Sequence, residues 1–258
     1  MLMAEAPNID PWVAIILLQF MTYIFIQFFF KTQKILIIIN LIVANLIVGQ
    51  TTKITYKLNL LKPETNKTIQ QEEEFNKINL ALSNITYELY INKQIALFQM
   101  NEIMNDNEFI ERAKIETGIE HYFIKENTKY TINDEVFFPK NSYLIKEEMP
   151  KWTLLDETKT INGMICYKAI SNYSTRPNNS FPIVAWYCPS LSSNFGPYGI
   201  GGLPGTILIL QYGYKVFTAT SIKHNVSKLI EFPNNIEIIT MEKYIEKLNK
   251  LEEEMFQE

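Results

Sequence analysis

The stretch MICYKAISNYSTRPNNSFPIVAWYCP, residues 164–189, sets two apolar runs on either side of a mainly polar loop. Met164 to Ile170 and Ile183 to Pro189 are rich in β-branched and aromatic residues, and Ser171 to Pro182 lie between them. Two such runs around a polar loop predict an antiparallel hairpin. If the strands pair symmetrically about Pro177, each residue of the first run has a defined partner in the second.

This register predicts two side-chain contacts. Cys166 lies opposite Cys188, and the pair is a candidate disulfide in an oxidising compartment; the alternative is two buried free thiols. Lys168 lies opposite Trp186. An ammonium over an exposed indole ring contributes about 0.5–1 kcal/mol, and the alternative is a half-buried Trp186 beside a solvated lysine.

Runs of the same kind recur on both sides of the hairpin. With turn residues between them, they indicate about ten or eleven short strands. A mainly β fold follows, with a curved antiparallel sheet or half-barrel and an amphipathic C-terminal helix. The other strand candidates are Lys53–Leu61, Asn84–Ile91, Gln94–Met100, Tyr122–Glu126, Lys129–Asn133, Tyr143–Lys146, Lys151–Asp156, Thr206–Gln211, Lys215–Ile222 and Leu229–Phe232.

Three segments have helical rather than alternating spacing of their apolar residues. Thr68–Ser83 and Asn107–Thr117 predict helices beside the sheet. The C-terminal helix is predicted by one apolar stripe, formed by Met241, Tyr244, Ile245, Leu248, Leu251 and Met255.

The first fifty residues differ from the rest. Pro11 to Phe30 carry no charge and are long enough to span a bilayer. Lys31 and Lys34, the apolar run Ile35 to Val48 and then Gly49 follow the plan of a secretory signal. Residues 1–50 are therefore a hydrophobic leader, either a misplaced gene start followed by a signal peptide at 31–50 or a membrane anchor. Residues 51–258 form one exported domain.

Composition excludes several classes of protein. The chain has 258 residues, 47% of them hydrophobic and 13% aromatic, which excludes a disordered chain. The net charge is −4 and no basic block occurs, so no nucleic-acid partner is expected. A four-ligand Cys/His zinc site would need both histidines and both cysteines, and His121 and His224 lack the close spacing of a ligand pair. We expect no metal and no cofactor.

Five of the nine glycines fall in FGPYGIGGLPG, residues 195–205. A Walker phosphate-binding loop is followed by Lys and Ser/Thr, and a dinucleotide-binding loop opens a helix. Here the glycines are followed by Thr206 to Leu210, a run that predicts a strand. We therefore interpret the segment as a structural loop in which Gly202 and Gly205 adopt conformations that are costly for other residues.

The segment Gly202-Leu203-Pro204-Gly205-Thr206-Ile207 resembles the signature of the GLPGLI family, with Thr206 where that family usually has Leu. Other stretches agree in order and spacing across residues 151–210. This resemblance implies an exported bacterial envelope protein of unknown function and supplies no catalytic residue. The residues it marks as motif or possible interaction positions are Trp152, Lys168, Trp186, Gly196, Pro197, Gly202, Leu203, Pro204 and Gly205.

Candidate catalytic groups are sparse. His121 and His224 have no metal-binding spacing, adjacent Asp156 and Glu157 face opposite sides of a strand, and the serines near 190 lack a nucleophile elbow. A hydrolase is therefore disfavoured, and no catalytic residue is assigned.

The leading hypothesis is a non-enzymatic binding module for an apolar ligand or a protein segment. The alternative is an accessory component of an envelope assembly that docks through the glycine-rich loop. Membrane contact is expected only through the leader, if it is retained.

Overall fold

The structure is a computed structural model that describes residues 19–35, 51–62, 68–101, 108–117, 121–132, 142–176 and 179–255. The chain divides into two compact units, Met1–Gly49 and Gln50–Glu258. In the first unit, helix α1 comprises residues 19–35, and its side chains are exposed. Most of the predicted spanning segment and the predicted signal segment lie outside the described residues. Among the described residues, no helix has both the length and the apolar character needed to cross a membrane.

The second unit is built on one sheet of twelve strands, which confirms the mainly β prediction. The sheet is open and mixed: β12 runs parallel to β6, and the other paired neighbours are antiparallel. The spatial order is β12-β6-β5-β4-β3-β2-β1-β11-β10-β9-β8-β7. The strands are β1 Thr51–Leu60, β2 Tyr87–Ile91, β3 Ile95–Met100, β4 His121–Lys125, β5 Thr128–Ile132, β6 Tyr143–Glu148, β7 Thr153–Ile161, β8 Met164–Arg176, β9 Asn179–Cys188, β10 Thr206–Tyr212, β11 Lys215–Val226 and β12 Glu237–Thr240.

One predicted strand is wrong and one strand was missed. Leu229–Phe232 forms no strand. It lies instead across one face of the sheet, where Ile230 and Phe232 belong to an apolar cluster with Phe123. The apolar pattern there reflects burial on a sheet face, not backbone pairing. The missed strand is the four-residue β12, which is too short to show a clear alternation.

The helices occur where the spacing predicts them. Helix α2, Ile69–Asn84, begins with a capping box between Thr68 and Gln71 and places Leu82 in the core. Helix α3 is Glu108–Thr117, and helix α4 is Met241–Met255. Helix α4 follows β12 directly and packs on the end of the sheet.

The β8–β9 hairpin has the predicted register. Lys168 pairs with Trp186, and the pairing stays symmetric about position 177 as far as Ser174 and Ser180. The Lys168 ammonium lies 5.9 Å from the centroid of the Trp186 ring, which confirms the predicted cation–π contact.

Candidate functional site

The glycine-rich loop, residues 194–205 (the glycine loop), lies on the face of the sheet that carries the main core. Phe195, Ile200 and Leu203 are at most 6% exposed and belong to that core. A 3-10 turn at Pro197–Gly199, preceded by Gly196 at its N-cap, brings Tyr198 into the same cluster. The loop therefore fills the inner face of the sheet with its own side chains.

The contacts of Tyr198 show how strongly the sheet curves. Its ring centroid lies 5.0 Å from that of Tyr122 on β4 and 4.9 Å from that of Tyr212 on β10. These strands are five positions apart in the sheet order, which is about 24 Å in a flat sheet. One ring can contact both strands only because the sheet wraps around it. The predicted half-barrel shape follows from this geometry.

Two glycines of the loop meet specific backbone requirements. Gly202 has φ +84° and Gly205 has φ +156°, as the sequence predicts. A Cβ on Gly205 would lie 2.5 Å from the Cys188 carbonyl oxygen, whereas one on Gly202 would first meet the Asn127 side chain at 3.2 Å. The loop is therefore a packed structural element.

Trp152, a motif residue outside the glycine loop, binds to the loop backbone. Trp152 donates its indole N–H to the Gly201 carbonyl oxygen at 2.8 Å. Pro197 is buried, and Gly202 and Pro204 are exposed. Asn194 is the third exposed residue of the glycine loop. A partner that docks on the loop would therefore contact only a small surface. Lys168 and Trp186 do not join this unit.

Trp186 lies on β9 with two cations around it. The ammonium groups of Lys159 and Lys168 lie 5.8 and 5.9 Å from its ring centroid. Lys168 also forms an ion pair with Glu157 at 3.0 Å. The half-buried Trp186 ring thus has two ammonium groups close to it and also packs against the main core.

A buried ion pair lies beside the glycine loop. Lys129 on β5 and Glu147 on β6 are directly opposed, 3.0 Å apart, with side chains only 5% and 6% exposed. The Lys129 ammonium lies 4.8 Å from the centroid of the Tyr122 ring and 5.7 Å from that of Tyr198. Burial raises the pKa of Tyr122 and of Tyr198.

Tyr198 itself has φ +59°, a backbone conformation that is rare for a bulky residue. The surrounding rings and the Lys129 ammonium hold it there. This cluster therefore fixes the turn at Pro197–Gly199 against the arm of the sheet that contains β4, β5 and β6.

The two arms of the sheet also meet directly. The Tyr173 hydroxyl on β8 lies 3.4 Å from Glu147 Oε2 and 3.3 Å from the Glu148 carbonyl oxygen on β6. Nine positions of the sheet order separate β6 from β8, so these contacts nearly close the half-barrel.

A cavity of about 570 Å³ lies where the arms meet, and we call it the seam cavity. Its walls come from β6, the link to β7, β8 and the start of α4, with one residue each from β5 and β12. The lining residues are Thr128, Lys146, Glu147, Glu148, Met149, Pro150, Lys151, Asn172, Tyr173, Thr240, Met241 and Glu242.

The lining of the seam cavity is polar and carries both signs of charge. Lys146, Lys151, Glu148 and Glu242 are exposed there. The Glu242 pKa is lowered because its own backbone N–H and the Thr240 hydroxyl donate to its carboxylate in the first turn of α4. The cavity thus offers cations, anions and neutral hydrogen-bonding groups to one occupant.

The cysteines are brought together as the register predicts, but as free thiols. Both are fully buried. Burial, together with the Cys188 thiol, raises the pKa of Cys166 to about 12. The predicted disulfide is not formed in the structure, and its formation stays a prediction.

The other candidate groups remain scattered. His121 begins β4, and the His224 Nδ1 lies 3.2 Å from the Thr52 hydroxyl. The Ser193 hydroxyl bonds to Thr206 at 2.6 Å. In the described ranges, no group of three His, Cys, Asp or Glu residues is placed to hold a metal ion.

Sequence reasoning missed Lys129, Glu147 and Tyr173. Lys129 and Glu147 stand at inward-facing positions of their strands, which is an unusual place for charge. That signal becomes readable only when β5 and β6 are known to pair, and a segment of ten residues separates them.

Comparisons with known proteins concern the fold alone. No protein-family profile matches the chain, and no curated protein sequence matches it. PNGF-II in a C2 crystal form is similar with a TM-score of 0.50 and 19% identity, over 78% of this chain and 33% of PNGF-II. The same protein in a P21 crystal form has a TM-score of 0.49 and 20% identity, over 78% of this chain and 34% of PNGF-II. The LolA superfamily protein NE2245 from Nitrosomonas europaea has a TM-score of 0.24 and 8% identity, over 72% of this chain and 89% of NE2245.

The chain thus spans about a third of the length of PNGF-II. At this identity the likeness is one of fold, and function has to be argued from the site. The resemblance to the GLPGLI family stays a prediction.

Proposed function

We propose that residues 51–258 form a non-enzymatic binding module, and that its occupant is a segment of another protein held in the seam cavity. The observation that carries the proposal is the position of the glycine loop. Phe195, Ile200 and Leu203 occupy the inner face of the sheet. An apolar ligand on that face would have to displace these side chains, whereas a segment in the seam cavity displaces none of them.

The lining of the cavity supports a polypeptide occupant. Its volume of about 570 Å³ falls within the range of binding pockets. Lys146 and Lys151 supply donors, Glu148 supplies an acceptor, and Asn172 supplies both. An extended segment carries backbone donors and acceptors along its whole length, and these match such a lining better than an acyl chain does.

Charge reversal tests the proposal. A random peptide library would be panned on residues 51–258, and selected peptides would be measured by fluorescence anisotropy. We expect the double variant Lys146→Glu/Lys151→Glu to weaken binding at least tenfold, because it inverts the cationic side of the cavity. The matched control is Lys93→Glu, an exposed lysine in the β2–β3 turn, which should leave binding unchanged.

Two results would contradict the proposal. One is peptide binding that responds equally to the cavity and control variants. The other is a lipid that co-purifies with the domain in native mass spectrometry, because that result would support an apolar ligand instead.

We also propose that the module acts outside the cytoplasm. The signal-like pattern of residues 31–50 supports export, and the second compact unit begins at Gln50. N-terminal sequencing of the envelope fraction should find a start near Gln50 or Thr51. A chain that keeps residues 1–30 would favour a membrane anchor.

A further inference from the structure

The β8–β9 hairpin contains both cysteines of the chain, and the proposed binding function uses neither of them. Tyr167 pairs with Tyr187, so the same register continued by one residue sets Cys166 opposite Cys188. Directly opposed residues of antiparallel strands have Cα atoms about 4.5–5.5 Å apart, within the roughly 4.4–6.8 Å that a disulfide spans. The backbone is therefore already in a geometry that a disulfide tolerates.

The surroundings of the two thiols differ. Cys188 is the last residue of β9, and exposed Pro189 and Ser190 follow it. The Ser190 hydroxyl lies 3.0 Å from the Cys188 sulfur, so a movement of this short turn would uncover the thiol. Cys166 lies within β8, with β7 paired on one side and β9 on the other. Met164 and Ile165 separate it from the exposed turn at Asn162 and Gly163, whereas exposed residues follow Cys188 directly.

The chemistry of Cys166 agrees with this difference. Its pKa is raised to about 12, mainly by burial, so it holds little thiolate at neutral pH. A thiol of this kind is a poor first nucleophile toward an external disulfide. It reacts efficiently only with a sulfur that is already beside it, as Cys188 is.

We propose that Cys166 and Cys188 form an oxidisable dithiol site with a fixed order of reaction, in which Cys188 exchanges first with a small disulfide and Cys166 then closes the intramolecular bond. In the first step the Cys188 thiolate attacks one sulfur of the oxidant, forms a mixed disulfide and releases one thiol. In the second step Cys166, after losing its proton to solvent, attacks the Cys188 sulfur and releases the second thiol. The protein loses two hydrogens, and the oxidant gains them.

Closure would reinforce the segment that supports the glycine loop. Gly205 packs against the Cys188 carbonyl oxygen, and Thr206 pairs with Cys188 across β9 and β10. Tying Cys188 to β8 would join the loop anchor to two strands. We therefore expect the oxidised protein to melt about 5–10 °C higher than the reduced protein.

Oxidised glutathione is the probe that tests the order of reaction. Residues 51–258 and the variants Cys166→Ser and Cys188→Ser would be incubated with it at neutral pH and followed by intact mass. The wild type should lose two hydrogens without accumulating adduct. Cys166→Ser should retain one glutathionyl group on Cys188, and Cys188→Ser should react at least tenfold more slowly.

Other results would overturn the inference. Equal rates for the two single variants would refute the order. A wild-type protein that keeps a stable glutathionyl adduct would refute closure. Cys166→Ala and Cys188→Ala provide a second pair of variants if a serine impairs folding. Repeating the reaction in urea should make the two single variants equally reactive, and a difference that persists there would show that the folded structure does not set it.

Discussion

At the scale of single residues, the glycine loop depends on contacts that a sequence cannot display. Trp152 lies more than forty residues before Gly201 and still donates a hydrogen bond to its carbonyl oxygen. Gly205 lies against the backbone of Cys188, where a side chain has no space. Four of the six motif residues within the loop, Gly196, Pro197, Leu203 and Gly205, are therefore buried.

Alanine substitutions at two glycines separate backbone strain from close packing. Gly202→Ala should lower the free energy of unfolding by about 1–2 kcal/mol, because φ is positive there and the nearest neighbour is a flexible side chain. Gly205→Ala should lose more, about 2–4 kcal/mol, because its Cβ would meet backbone atoms of Cys188 and Pro189. Urea unfolding measures both. Equal losses would show that the close approach at Gly205 relaxes without cost.

At the scale of elements, the pairing of β5 with β6 brings a lysine and a glutamate together in the interior. Lys129 and Glu147 are 3.0 Å apart and almost fully buried, and Tyr173 of β8 approaches the same carboxylate. A buried pair contributes little net stability but is costly to break, because the remaining charge is left without a partner. Through Tyr173, the Glu147 carboxylate connects the arm that contains β5 and β6 to β8, and both residues line the seam cavity.

Breaking the buried pair should destabilise the protein more than breaking an exposed one. Lys129→Met should lower the free energy of unfolding by about 3–5 kcal/mol. The matched control is Lys168→Met, which breaks an exposed pair of the same 3.0 Å separation and should cost about 1 kcal/mol or less. Denaturant unfolding of both variants is the measurement.

A companion variant identifies the cause of this loss. In Lys129→Met/Glu147→Leu no charge remains buried, so part of the stability lost in Lys129→Met should return. If the double variant lost as much free energy of unfolding as the two single variants together, the charge explanation would be wrong.

At the scale of the whole molecule, the curved sheet encloses tyrosines that belong to strands far apart in its order. Tyr56, Tyr122, Tyr173 and Tyr198 lie on β1, β4, β8 and the glycine loop. Burial raises the pKa of all four. Deprotonation of each is therefore less favourable in the folded half-barrel than in the unfolded chain.

The protein should therefore lose stability in alkali. A tyrosine whose pKa is higher in the folded than in the unfolded chain contributes its full stabilisation below the unfolded value, near pH 10, and loses it as the pH rises further. The free energy of unfolding should fall steeply above about pH 10, and Tyr122→Phe should make that fall shallower. Denaturant unfolding followed with tyrosinate absorbance checks this. Complete tyrosine ionisation near pH 10 in a folded protein would contradict it.

The sequence by itself determined the local features of this protein. The strands other than β12, the helices α2, α3 and α4, and the β8–β9 register follow from alternation, helical spacing and a hairpin loop with a definable centre, because these signals involve residues that are near in sequence. The pairing of Lys168 with Trp186 could be predicted for that reason. Only the tertiary structure decided that the glycine loop fills the inner face, that Lys129 meets Glu147 and that a polar cavity forms at the seam. These features depend on the curvature of a twelve-strand sheet, which brings β4 to β10 and β6 to β8. Curvature is set by the packing of all the strands together, so no short stretch of sequence encodes it.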